Sequence, residues 1–87
     1  MTISVEKLDD KTFNVTVNKS GTTQHKVTVS DDYHQKLTKG QISKENLVKR
    51  SFEFLLEREP NTSILRSFDL PVISQYFPEY ERTIGSG

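Results

Sequence analysis

Apolar and polar residues alternate strictly at Phe13, Val15 and Val17 against Asn14, Thr16 and Asn18, the period of a strand that is wet on one face. Ile3 and Val5 alternate in the same way before Leu8-Asp9-Asp10-Lys11, whose residue types suit a tight turn. A third run places Gln24, Lys26 and Thr28 on one face and His25, Val27 and Val29 on the other. Asn18-Lys19-Ser20-Gly21 between the second and third runs is turn chemistry, with Gly21 free to take positive φ. Three short strands joined by tight turns predict an antiparallel meander.

The period then changes. Ser30 is suited to cap a helix whose first turn carries Asp31 and Asp32, charges that the helix dipole favours there. Tyr33 and Leu37 lie four apart on its inner face, and Gly40 is expected to stop it. Ser43 caps the main helix, with Ile42 and Leu47 placed as a hydrophobic staple. Val48, Phe52, Leu55 and Leu56 form its apolar stripe, widened by Leu47, Ser51 and Phe54, and Pro60 ends it. Ile64 to Phe68 reads as one or two helical turns. Asp69 with Pro71 reads as a further helix start, followed by Leu70, Ile73, Tyr76 and Phe77 at helical spacing. Phe52, Phe54, Phe68, Tyr76, Phe77 and Tyr80 concentrate the aromatic residues late in the chain, as expected if the tail folds back on the main helix. The fold class expected is α+β: a three-stranded antiparallel β-meander, a short helix, one long amphipathic helix and a short helical C-terminal tail. Residues 1–84 form one domain on this reading, and 85–87 a flexible tail or an appended remnant.

Composition narrows the function more than it identifies it. A chain of 87 residues has a thin core, so a homodimer sharing apolar surface would help it. The 12 basic and 12 acidic residues cancel, and net charge therefore points to no polyanionic partner. Without cysteine there is neither a disulfide framework nor a thiolate metal site. No apolar run approaches the length of a membrane span and no signal-peptide pattern opens the chain, so a soluble cytoplasmic protein with no membrane partner is expected. No nucleophile elbow, phosphate loop or paired-histidine zinc motif occurs, and Ser63 and Ser67 lack a recognisable base. His34 lies three residues after Asp31 with no further ligand nearby, which is the pattern of a solvated helix start. His25 is in phase with core positions. No enzyme activity, catalytic residue, cofactor or metal is expected.

Lys26-Val27-Thr28-Val29, the Asp31–Thr38 helix, the Gly40 turn and the Leu47-Val48, Ser51, Phe52, Leu55 pattern resemble the ribbon-helix-helix repressors and antitoxins, which include Arc, MetJ and CopG. That resemblance implies a dimer whose paired strands lie in the DNA major groove. Gln24, Lys26 and Thr28 would then read bases, and the main-helix start near Ser43, Lys44 and Glu45 would hold a phosphate. Separately, Ile64-Leu65-Arg66-Ser67-Phe68-Asp69-Leu70 and Tyr76-Phe77-Pro78-Glu79-Tyr80 look like the tail of small prokaryotic proteins of unassigned function, a likeness that covers more of the chain and implies no activity. Two functions are thus expected in competition. The first is a protein-interaction module, acting on an unidentified protein or on its own copy through an aromatic patch of Tyr76, Phe77 and Tyr80. The alternative is a DNA-binding regulator or antitoxin using Gln24, Lys26, Thr28, Ser43 and Lys44. For Tyr76, Phe77 and Tyr80 the competing role is intramolecular core.

Overall fold

The computed structural model describes residues 2–19 and 21–85; Ser20 of the second turn and the Ser86-Gly87 end lie outside the described residues. The meander is present as β1 (Thr2–Lys7), β2 (Thr12–Asn18) and β3 (Thr22–Thr28), paired antiparallel with Val5 opposite Val15 and Val15 opposite His25. Asp9 organises the first turn by accepting from the Lys11 and Thr12 amides at 2.9 and 2.8 Å. Because side chains alternate across a pleated sheet, Phe13, Val15, Val17, His25 and Val27 all reach one buried face. The opposite face carries Thr12, Asn14, Thr16, Gln24, Lys26 and Thr28, all exposed or half-buried.

Ser30 caps α1 (Asp31–Thr38), its hydroxyl accepting from the Tyr33 amide. The helix ends at Thr38, as expected: Lys39 takes the left-handed conformation at φ 55° as its C-cap, and Gly40 follows at φ 76°. His34 Nε2 donates to the Ile42 carbonyl at 2.6 Å and fastens the connection to α2 (Lys44–Leu56), which Ser43 caps. Every residue of the expected apolar stripe and its flanks is buried: Leu47, Val48, Ser51, Phe52, Phe54, Leu55 and Leu56. So wide a stripe serves two layers. Phe52 faces the sheet, 5.3 Å from the His25 ring and 6.1 Å from Phe68. Phe54 faces the tail, 5.9 Å from Phe77 and 5.3 Å from Tyr80.

The expected helix over Ile64–Phe68 is not there. A 3-10 turn at Asn61–Ser63 leads instead into β4 (Ser67–Asp69), which pairs parallel with β3 to give a four-stranded sheet of order β1-β2-β3-β4. A parallel neighbour needs a long crossover, and here α1 and α2 supply it. Adjacent apolar residues such as Ile64-Leu65 suit a helix or a buried strand equally. The free edge of β3 decides between them, through the Lys26 amide to the Arg66 carbonyl (2.7 Å) and the Leu70 amide to the Thr28 carbonyl (2.9 Å). Asp69 is accordingly a strand residue and not a helix cap.

The tail continues as α3 (Val72–Tyr76) and α4 (Tyr80–Gly85), the latter one residue past the expected domain end. It closes over α2 through polar and aromatic anchors. Tyr33 donates to Glu81 Oε2 at 2.8 Å, and burial together with this carboxylate pushes the phenol's pKa well up. Arg58 lies 3.6 Å above the Phe54 ring and bonds Glu79 at 3.3 Å; a hydrogen bond from Glu79's own backbone amide, with Arg58 second, holds that carboxyl below the usual range.

Candidate functional site

Tyr80, expected on the surface as part of an aromatic patch, is fully buried. Ser51 uses its single hydroxyl proton on the Leu47 carbonyl (2.7 Å), so the 2.6 Å contact to Tyr80 is a donation from the phenol to Ser51 Oγ. The sequence signal for this role was available: Tyr80 follows Phe77 at helical spacing, the pattern of a core face. Phe77 is half-buried against Phe54, while Tyr76 points outward with 67% of its surface exposed. Of the three expected patch residues, only Tyr76 is a surface residue.

Tyr76 nevertheless borders a real surface feature. Leu55, Ile64, Phe68, Val72, Ile73 and Phe77 line an apolar depression of about 130 Å³, with Leu65, Tyr76, Ser63 and Glu59 completing its wall. Leu65 and Tyr76 are two of three exposed large hydrophobic residues among those described, the third being Leu8 at the distant β1–β2 turn. The depression is too small for a typical small-molecule site, which occupies roughly 300–1,000 Å³. It suits one inserted side chain.

The wall is held by a buried polar network. A carbonyl can only accept, so His25 Nδ1 carries the proton it donates to the Leu65 carbonyl at 2.8 Å. In the neutral ring Nε2 then accepts from the Thr23 hydroxyl at 2.8 Å. Asn61 Nδ2 donates to the same hydroxyl oxygen at 3.1 Å and to the Gly21 carbonyl at 3.2 Å. These bonds pin the 61–65 segment to β3 and set the height of Leu65. Asn61 Oδ1 is buried without a donor among the described residues, a cost carried by the same junction.

Glu59 is the one carboxylate in the wall. Among the described residues no ion pair or hydrogen bond engages its carboxylate, and burial raises its pKa above the ordinary value of 4.5. An acid raised in the fold stabilises the native state only while protonated. That contribution is lost as pH rises through the raised folded value. Glu59→Gln should therefore raise the melting temperature at neutral pH, with the gain vanishing below about pH 4, where both states are protonated. Equal melting temperatures at neutral pH would contradict this burial effect.

The expected nucleic-acid residues do not converge. Gln24 and Lys26 are exposed and Thr28 half-buried on the polar sheet face, as expected, but Lys26 alone is basic and its row also carries Glu6, Asn14 and Ser67. β3 is hydrogen-bonded on both edges within the chain, by β2 and β4, so the edge that a two-subunit ribbon requires is already occupied. Ser43 is spent as the α2 cap. Lys44, expected beside a phosphate, bonds the Asp10 carbonyl at 2.8 Å and pairs with Asp31, holding that carboxyl below its usual range. No group of three potential metal ligands occurs among the described residues. No helix among them is long and apolar enough to cross a membrane.

No family model matches the chain, and no match was found among curated proteins or among solved structures.

Proposed function

We propose that this chain is a small non-enzymatic protein-interaction module whose docking surface is the depression between the end of α2, the 59–65 segment, β4 and α3. The observation that carries this reading is the exposure of Leu65 (46%) and Tyr76 (67%) on the wall of one apolar depression. Isolated surface hydrophobes need no explanation, but two that frame a side-chain-sized hollow form the centre-and-rim arrangement of protein contacts. An uncompensated carboxylate kept at its wall, against the preference of the fold, fits a surface shaped by something other than stability. The DNA-binding alternative has less behind it, because Lys44 and Ser43 are engaged and both edges of β3 are paired.

Selection from a random library of short peptides tests the reading. Recovered peptides should carry a bulky apolar residue and perturb the amides of residues 59–77 in nuclear magnetic resonance spectra. Leu65→Asp and Tyr76→Asp, both at exposed positions, should each weaken capture about tenfold or more while leaving circular dichroism unchanged. Recovered peptides that map elsewhere, or capture indifferent to both substitutions, would remove this surface from consideration.

A further inference from the structure

The inference that follows rests on that reading and concerns the sheet edge beside the depression. In a parallel pair, alternate residues of a strand turn their main-chain groups toward the neighbour. On β4 these are Arg66, whose carbonyl accepts from Lys26, and Leu70, whose amide donates to Thr28, with Phe68 between them by alternation. Ser67 and Asp69 therefore direct both N–H and C=O away from the sheet. No main-chain bond to a loop or helix among the described residues satisfies them. Their side chains are exposed on the polar face, and Phe68 is half-buried on the other face, in the wall of the depression.

We propose that a second copy of this chain pairs antiparallel with β4 about a two-fold axis at Phe68, joining the two sheets edge to edge. The edge is self-complementary in this register. Each Ser67 lies opposite Asp69 of the partner and exchanges both main-chain hydrogen bonds with it. On the outer face the Ser67 hydroxyl meets the partner's carboxylate, and no two like charges are opposed. On the inner face Phe68 meets its own copy on the axis, extending the apolar surface of the depression across the junction. A preformed strand is a better occupant than a flexible peptide, since ordering a peptide costs about 1–2 kcal/mol per residue. The other free edge, β1, ends in Glu6 and Lys7, and its residues line neither apolar hollow wall nor floor.

Sedimentation equilibrium of the full chain from micromolar to millimolar concentration tests this. A reversible dimer is expected. Ser67→Pro deletes an outward N–H that only the partner strand uses, at an edge position where proline is tolerated, and should give a monomer with an unchanged dilute melting temperature. Ser67→Asp sets a carboxylate opposite Asp69 of the partner, and Ser67→Lys sets an ammonium there. The dissociation constant should rise about two- to thirtyfold for the first and fall by a similar factor for the second, as two cross-strand pairs change per dimer. The charge pair keeps the test decisive should the proline variant misfold. A monomer at all concentrations overturns the proposal, as does a dimer indifferent to both charge substitutions, which would point to β1. If a strict monomer still captures peptides at Leu65 and Tyr76, self-pairing fails while the docking surface stands.

Discussion

Tyr80→Ala is expected to destabilise the protein by about 3–5 kcal/mol, the cost of emptying a large aromatic site in a packed core. The ring is fully buried and lies 5.3 Å from Phe54, in the layer that joins the tail to α2. Its phenol is also the donor to Ser51, and burial pushes that phenol's pKa well above the ordinary value, so it stays protonated and able to donate. Native stabilities of small domains are about 5–15 kcal/mol. The variant should therefore be largely unfolded or melt far below the parent by circular dichroism. Tyr80→Phe separates the two contributions. It keeps the packing and removes only the donor, at a cost of about 0.5–1.5 kcal/mol, or roughly 4–8 °C per kcal/mol in melting temperature for a domain of this size. A Tyr80→Ala protein that keeps its melting temperature would mean that the tail does not close the core.

His25→Leu is expected to cost about 2–6 kcal/mol and to act first on the docking surface. Leucine preserves an apolar ring-sized filling against Phe52 but leaves the Leu65 carbonyl without its donor and the Thr23 hydroxyl without its acceptor. Each buried group stripped of its partner costs about 1–3 kcal/mol. Because those bonds tie the 61–65 segment to β3, hydrogen exchange should accelerate at residues 61–70 before it does in β1 and β2. Peptide capture at the depression should fall even at temperatures where the domain remains folded. Uniform loss of protection across the sheet would instead show that His25 supports the core at large and not the wall in particular.

The two substitutions mark where local information is sufficient and where it is not. Alternation at Phe13, Val15 and Val17 implies a half-buried strand whatever surrounds it, since side-chain direction reverses at every residue. Likewise Ser30 and Ser43 cap helices because a hydroxyl satisfies an amide two or three residues ahead. The wide inward face of α2, six apolar residues with Ser51 among them, and the in-phase placement of His25 are local in the same sense. These features make the meander, the two helices and the α+β class legible from residue order alone.

Residues 61–80 are different. Ile64-Leu65 and Ser67-Phe68-Asp69 carry no period long enough to choose between helix and strand, and the choice falls to the edge of β3, some forty positions earlier in the chain. Tyr76 and Tyr80 are the same residue type four positions apart. One is exposed and the other buried because only Tyr80 meets Ser51 and Phe54 when the tail docks. Lys44 looks like a free cation in one dimension and is consumed by Asp10 and Asp31 in three. Periodicity and capping act within a few residues, and they suffice for the strands of the meander, both capped helices and the inward faces. The parallel fourth strand, the burial of Tyr80 and the hollow beside Leu65 and Tyr76 depend instead on which distant groups meet.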